Sequence, residues 1–143
     1  MNQAAEAPKV VNGVNVSDLF ATIGQINDQS EIAKFNFRPT NKWVNGADNR
    51  TEVKDFYGAC QTIVRETPFV FQKDEHPILL GNDTGANPVE YALAALAGCL
   101  TTSLVYHAAA RGIKIDSVES TYSGNLDLRG FLGLDPNIRN GYE

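Results

Sequence analysis

Cysteine, histidine, tryptophan and methionine are all scarce in this sequence, which has two cysteines, two histidines, one tryptophan and one methionine. Two cysteines are too few to hold a small secreted domain together by disulfide bonds. They form no Cys-x-x-Cys pair and no other metal-ligand spacing with the histidines, so we expect neither a metal nor a cofactor. The glycines form no phosphate-binding loop pattern.

Positive charge is also in deficit, because 12 Lys+Arg stand against 17 Asp+Glu and give a net charge of −5. Such a chain repels phosphates unless a basic patch is concealed, which disfavours nucleic acid as a partner. Met1 to Pro8 lack the apolar core of a secretion signal. Hydrophobic residues make up 43% of the chain, enough for one core. The composition therefore predicts a soluble, cytoplasmic protein with free thiols.

The sequence has one long apolar stretch, from Val89 to Ala110, in which only Glu90 and His107 are ionisable. It is rich in alanine where a membrane span is rich in leucine and isoleucine, and Gly98 and Cys99 interrupt it. The composition favours a buried helix of a soluble fold, with no membrane as partner.

The ends of this helix are marked by residues that start and stop helices. Asn87 is a good N-cap, Pro88 suits the first helical position, and Glu90 stands where a capping box needs it. At the other end, Arg111 precedes Gly112, which favours a left-handed C-cap. The spacing predicts a helix between these two signals, covered on most faces by a sheet.

The remaining elements follow from hydrophobic periodicity. A helix from Asp18 to Asn27 or Asp28, capped by Asn15 or Ser17, is predicted before a short turn at 31–34. The segment from Gly81 to Asn87 predicts a loop. Alternation predicts strands at Phe35–Phe37, from Trp43 to the turn at Asn45-Gly46, at Arg50–Tyr57, Ala59–Arg65, Phe69–Gln72 and Lys114–Leu126, with a continuation through Asp127–Leu132. The fold class is α+β, with residues 1–34 as an N-terminal tail and helical segment and residues 35–143 as the main domain.

Cys99 is the first candidate for chemistry, and two interpretations of it stay open. A mid-helix cysteine usually packs as a small buried hydrophobe. A reactive thiol needs a nearby cation, and Thr102 and Ser103 one turn onward add hydroxyl groups. Gly98 costs helix stability and is easier to understand if another element or a ligand approaches the backbone beside Cys99.

The other candidate side chains carry weaker signals. His107 lies about 12 Å along the helix from Cys99, too far to act as its base, and a buried structural histidine is favoured. His76 before Pro77 is predicted to be an exposed loop residue. Cys60 is predicted on a strand as structural filler, and it is the only possible intramolecular disulfide partner of Cys99.

Two runs resemble the OsmC/Ohr family of osmotically inducible and organic-hydroperoxide-resistance proteins. The first is GANPVEYALAALAGCL, from Gly85 to Leu100, and the second is AARGIKIDSVE, from Ala109 to Glu119. In the first run an Asn-Pro pair opens a helix whose cysteine lies eleven residues after the proline, like the family's peroxidatic-cysteine motif. Segments 69–81 and 125–133 resemble a less studied OsmC-like branch, so the resemblance extends from about Phe35 to Tyr142.

The resemblance implies an intertwined homodimer in which antiparallel sheets wrap around long buried central helices, with active sites at the subunit interface. It also implies reduction of small organic hydroperoxides. Cys99 matches the peroxidatic cysteine, whose thiolate attacks the peroxide and becomes a sulfenic acid. An external dithiol reductant then restores the thiol.

The chain departs from the family pattern at the residue that follows Asn-Pro. There the hydroperoxide reductases have a glutamate that holds an arginine over the thiolate, whereas this chain has Val89, with Glu90 one position later. Glu90 is kept as a candidate catalytic residue, although the capping box also explains it. Arg65 is the candidate arginine, with Arg50 and Arg38 behind it.

The resemblance also implies a resolving cysteine C-terminal to the peroxidatic one. Cys60 does not match it, because Cys60 precedes Cys99 in the sequence. Family members continue past the equivalent of Tyr142, so we expect the domain to lack a C-terminal strand and helix. The first hypothesis is a thiol-dependent peroxidase using Cys99. The alternative, favoured by Val89, is a non-catalytic OsmC-fold protein that binds an apolar ligand at the dimer interface. A third is a chain too short to be active.

Overall fold

A computed structural model describes residues 9–141, which form an α+β fold of antiparallel strands and one long helix. Two 3₁₀ turns, Ser30–Ala33 and Pro77–Leu79, connect larger elements. In chain order the elements are β1 (Val10–Val11), β2 (Val14–Asn15), α1 (Val16–Asp28), β3 (Asn36–Phe37), β4 (Thr40–Asn45), β5 (Asp48–Gly58), β6 (Gln61–Lys73), α2 (Pro88–Ala110) and α3 (Leu128–Phe131).

The N-terminal hairpin and α1 dock on the end of α2. Asn12 and Gly13 both have positive φ and make the tight turn between β1 and β2. The Asn12 side chain donates to the carbonyl of Ile113 and accepts from the amide of Ile115, both at 2.9 Å. Asn15, one of the two predicted caps, caps α1 by accepting from two amides of the first turn, so the helix begins at Val16, two residues before the predicted start at Asp18. The predicted end of α1 at Asp28 is also confirmed.

β5 is the central strand of the main sheet. β6 pairs antiparallel with it along almost its whole length, so β4 and β3 share the other edge of β5. Along β5, Thr51, Val53 and Asp55 are half-buried while the residues between them are exposed. This alternation of period 2 gives the sheet one covered face and one open face.

β6 corrects the prediction of two separate strands at Ala59–Arg65 and Phe69–Gln72. It runs unbroken from Gln61 to Lys73, with Pro68 inside it. The register shifts between Val53 and Asp55, so that four residues of β6, 65 to 68, face a single residue of β5. Proline is tolerated there because a bulge does not need its missing N–H for the ladder.

The predicted limits of α2 are confirmed at both ends. The Asn87 side chain accepts from the amide of Val89 at 2.7 Å, and the Glu90 side chain accepts from the amide of Asn87 at 2.8 Å, completing the capping box. Gly112 has a φ of +68°, and the amides of Gly112 and Ile113 donate back to Ala109 and Ala108. This is a Schellman C-cap.

The expectation of a buried central helix is wrong for the single chain. Only Ala108 and Ala109 are buried on α2, while Leu96, Leu100 and Leu104 are about half-exposed. The helix is long and apolar enough to cross a membrane, but only 11% of its most apolar window is buried. Core helices of soluble proteins have the same length and composition, so this property alone is weak evidence for a membrane.

The predicted strand at Lys114–Leu126 is also wrong, because the segment is irregular apart from a single β-bridge residue at Leu126. Its continuation through Asp127–Leu132 is corrected to the short helix α3, capped by Asp127. A strand needs a neighbour to pair its amides and carbonyls. No strand in the part of the chain that the structure describes lies beside residues 114–126 to supply one.

The single chain buries little apolar surface. Within residues 9–141 the buried hydrophobic residues are Val16, Ala108 and Ala109. The accessible surface is 11181 Å², whereas a compact monomer of this mass exposes about 7,200 Å². The elements are formed, but most of their apolar faces are uncovered.

Candidate functional site

The loop between β6 and α2 is organised around the buried carboxylate of Asp74, which is 1% exposed. It accepts hydrogen bonds from the amides of Glu75 (2.8 Å), Asn82 (3.0 Å) and Thr84 (3.3 Å) and from the Thr84 hydroxyl (2.9 Å). The Glu75 amide, opposed by burial and helped by Thr84 and Asn82, holds the pKa of Asp74 below its usual value. This ring of donors fixes where α2 begins.

Two glycines let the loop close on itself. A Cβ on Gly81 would overlap the carbonyl of Glu75, and a Cβ on Gly85 would overlap the carbonyl of Gln72. Only glycine allows backbone to approach backbone this closely. The predicted loop at Gly81–Asn87 is confirmed, and the close packing of its backbone is the reason for its glycines.

The start of α2 carries a small polar network. The Asn87 side chain donates to the carboxylate of Glu75, while Glu90 accepts from the Asn87 backbone. Glu90 is therefore engaged in the cap, and it makes no ion pair with Arg65 within residues 9–141. His76 is exposed, as predicted, and accepts from the amide of Ile78 at 3.3 Å.

A cleft of about 510 Å³ lies between the covered face of the sheet and the first turns of α2. The Tyr91 ring packs edge-on against Phe71 with centroids 6.0 Å apart, and its hydroxyl donates to the carbonyl of Gln72 at 2.8 Å. The Lys73 ammonium lies 5.6 Å from the Tyr91 ring centroid. The lining residues are Thr51, Val53, Phe71, Lys73, Tyr91, Ala94 and Ala95.

Cys99 follows this cleft along the helix. It stands four residues after Ala95, so the two residues share a helix face one turn apart. In the single chain its side chain is an exposed free thiol. A Cβ placed on Gly98 would meet nothing within 4 Å, so no element of the described chain approaches the backbone beside Cys99.

Arg65 lies on β6 between two aromatic rings. Its guanidinium carbon is 5.2 Å from the centroid of Phe56 and 5.2 Å from that of Phe69. Its Nη1 atom is buried and has no hydrogen-bond partner among residues 9–141. A buried guanidinium nitrogen without a partner is costly, so this position favours an acceptor supplied from outside the single chain.

The other candidate arginines are placed differently. Arg38 forms an ion pair with Asp55, with Nη2 to Oδ1 at 2.7 Å, and is therefore already neutralised. Arg50 pairs across the sheet with Lys42 and Gln72 on the open face, away from α2. Of the three arginines, Arg65 is the one with a buried nitrogen that lacks a hydrogen-bond partner among residues 9–141.

Two other predictions about side chains are corrected. Cys60 lies in the tight turn between β5 and β6, exposed and with a φ of +61°, and not on a strand. Ala59 also has positive φ, which the strand twist of a two-residue hairpin turn requires. His107 is exposed and within 3.4 Å of Arg111, so it is not a buried histidine in the single chain.

A protein-family model described as OsmC-like protein matches residues 81–140. This segment of the chain is therefore similar in sequence to OsmC-like proteins. The matched segment holds the loop glycines, the capping box, all of α2 with Cys99, and α3. It covers less than half of the chain and leaves out Arg65 and Cys60. No curated protein sequence matches the chain.

The OsmC-like match is relevant to whether the long apolar helix α2 is a core helix or a membrane span. Proteins of this family are generally soluble, and an apolar helix of this length is compatible with a core helix that neighbours cover. Sequence reasoning missed Asp74 and Lys73, which organise the loop and the cleft on either side of the junction between β6 and α2. The sequence signal that could have indicated them is that Lys73 and Asp74 form a polar pair at the end of a strand, just before a glycine-rich loop.

Proposed function

We propose that this OsmC-like protein is a cytoplasmic, thiol-dependent peroxidase that reduces organic hydroperoxides at Cys99. The observation that carries the proposal is the position of Cys99. It is an exposed thiol in the family-matched segment, one helical turn beyond a cleft that admits apolar groups.

The proposed chemistry balances without a metal or an organic cofactor. The Cys99 thiolate attacks one peroxide oxygen, the O–O bond breaks, and the alkoxide leaves and takes a proton to become an alcohol. Cysteine is oxidised to the sulfenic acid as the peroxide is reduced. One thiol of an external dithiol then forms a mixed disulfide with release of water, and its second thiol expels the Cys99 thiolate.

Arg65 is the proposed partner of the thiolate. Its buried, unsatisfied Nη1 needs an acceptor, and a thiolate or peroxide oxygen would provide one. The rings of Phe56 and Phe69 flank the guanidinium, and these contacts restrict it before the acceptor arrives, so less side-chain entropy is lost on binding. Arg65 would thus stabilise the charged form of the nucleophile.

The homodimer belongs to the same proposal. Cys99, Leu100 and Leu104 are exposed on a helix whose composition is that of a core, so a second subunit is proposed to cover them. Such a partner would exclude water from the thiol and complete the site at the interface.

The test is consumption of cumene hydroperoxide in the presence of dihydrolipoamide. We expect Cys99→Ser to abolish turnover and Cys60→Ser to retain it, because Cys60 lies in the hairpin turn between β5 and β6, outside the family-matched segment. Loss of activity in both variants would make Cys60 the resolving thiol. Turnover that survives Cys99→Ser would contradict the proposal.

Variants at Arg65 and Glu90 separate their roles in the same assay. Arg65→Met should lower turnover by at least about tenfold and slow the alkylation of Cys99 at a fixed neutral pH, measured in a Cys60→Ser background. Glu90→Gln keeps an acceptor for the Asn87 amide, so it should retain activity if Glu90 only caps α2. An unchanged rate of Cys99 alkylation in Arg65→Met would remove Arg65 from the mechanism.

A non-catalytic, ligand-binding protein is the second candidate. A cleft of about 580 Å³ with a largely apolar lining lies between the 3₁₀ turn at Pro77–Leu79, the start of α2 and α3. The engagement of Glu90 in the cap leaves no carboxylate at that position free to hold an arginine. A folded dimer without peroxide turnover would favour this second function.

A further inference from the structure

Lys73 stands at one end of the cleft between the sheet and α2, at the last position of β6. Its ammonium donates to the Thr51 hydroxyl and, at 3.5 Å, to the carbonyl of Phe71. The Thr51 hydroxyl in turn donates to the Asn41 side chain at 2.8 Å. This chain of hydrogen bonds holds the half-buried ammonium in place and leaves it capacity for a further acceptor.

Lys73 has no counter-ion in the part of the chain that the structure describes. The ion pairs there involve Lys34, Arg38 and Arg129. The carboxylates closest to Lys73 in the β6–α2 junction have other partners: Asp74 accepts from the loop amides, Glu75 from the Asn87 side chain, and Glu90 from the Asn87 amide. A half-buried cation among neutral groups favours an anion that comes from outside the chain.

The rest of the cleft is apolar and has fixed walls. Val53 and Phe71 form the floor on the sheet, and the small side chains of Ala94 and Ala95 on α2 leave the space open. The hydrogen bond from Tyr91 to Gln72 fixes the ring that borders Lys73. The volume of about 510 Å³ lies within the range of small-molecule sites.

We propose that this cleft binds an amphipathic carboxylate with a single acyl chain. The carboxylate lies at the Lys73 ammonium, and the chain lies over Val53, Phe71 and Ala95. From Tyr91 the helix face continues for about 12 Å to Cys99, so the chain points toward the thiol. The proposal concerns binding alone and holds whether or not Cys99 reduces peroxides.

The test is isothermal titration calorimetry of the purified full chain with decanoate and with decanol, both below their aggregation concentrations. The two probes share the chain and differ in charge. We expect decanoate to bind at least about tenfold more tightly than decanol, and Lys73→Met to abolish that preference while decanol affinity stays unchanged.

The matched control is Lys42→Met. Lys42 is opposite Arg50 on the open face of the sheet, so this variant removes an equal charge and should keep the preference for decanoate. Ala95→Phe fills the cleft without changing Lys73 and should weaken the binding of both probes, which keeps the proposal testable if Lys73→Met does not fold.

Equal binding of the two probes by the unmodified chain would overturn the proposal. Binding of neither probe would also overturn the proposal, because the cleft would then be covered by the second subunit. Equal losses of the preference for decanoate in Lys73→Met and Lys42→Met would overturn it as well.

Discussion

At the scale of single residues, Asp74 shows how one buried carboxylate positions a helix. Its four hydrogen bonds join the end of β6 to the loop that leads into the N-cap of α2. All four donors point at the charged form of the carboxyl group. The charge therefore stabilises the loop, and its removal should loosen the start of α2.

The pH dependence of stability follows from the direction of the Asp74 pKa. Because that pKa is lowered in the folded chain, the stabilisation is complete above the unfolded value of about 3.9 and is lost as the pH falls through the folded value. We expect Asp74→Asn to lower the urea midpoint at pH 7 and the difference in midpoint from the unmodified chain to narrow as the pH falls below the unfolded pKa of about 3.9.

Asp83→Asn is the control for this comparison, because Asp83 is exposed in the same loop and its side chain is not part of the ring of donors around Asp74. Asparagine also tolerates the positive φ at this position. The urea midpoint of this variant should match that of the unmodified chain. Equal midpoints for Asp74→Asn and Asp83→Asn at pH 7 would show that the buried carboxylate contributes nothing to folding.

At the scale of elements, the ends of α2 could be predicted and its surroundings could not. Asn87, Pro88 and Glu90 at one end and Gly112 at the other act through local backbone hydrogen bonds, which depend only on residues close in sequence. The strand predicted at 114–126 depends on a partner strand, and the described part of the single chain supplies none. The same limitation explains why Arg65 was one candidate of three until the structure showed its unsatisfied nitrogen.

The two helix glycines allow a test of whether a neighbour covers α2. A Cβ added to Gly24 in α1 or to Gly98 in α2 would meet no atom within 4 Å in the described part of the single chain. Gly24→Ala should raise the free energy of unfolding by about 0.5–1 kcal/mol, because alanine restricts the unfolded chain. Gly98→Ala should lower the free energy of unfolding, because the added Cβ would meet the proposed second subunit where it packs against Gly98.

The measurement for this pair is urea denaturation at one fixed protein concentration, since the stability of a dimer depends on concentration. An equal gain from both substitutions would mean that nothing approaches Gly98 in solution. In that case the glycine before Cys99 would have no packing role.

At the scale of the whole molecule, the single chain exposes much more surface than a compact monomer does. The chain exposes 11181 Å², about half as much again as a compact monomer of its mass. Stable homodimers cover about 2,000–5,000 Å² in total. The half-exposed leucines of α2, Leu96, Leu100 and Leu104, recur every four residues and provide an apolar surface for such an interface.

The dimer proposal predicts different outcomes at two exposed leucines. Leu104→Glu places a charge on the half-exposed face of α2 and should shift the chain from dimer to monomer or aggregate in sedimentation velocity. Leu80→Glu, at a loop position that is 93% exposed, should leave the dimer intact. If the unmodified chain is a monomer, the proposed interface does not exist. If only Leu80→Glu breaks the dimer, the interface lies elsewhere.

The sequence by itself determined the family-matched helix, its two caps, the glycine-rich loop before it and the position of its cysteine, because these features rest on contacts between near neighbours in the chain. The tertiary structure decided which side chains meet across distance. It put Lys73 beside Tyr91, held Arg65 between Phe56 and Phe69, and joined the two halves of β6 through the bulge at Pro68. It also showed that the apolar faces of one chain remain open, because the strands and helices that one chain supplies do not cover them.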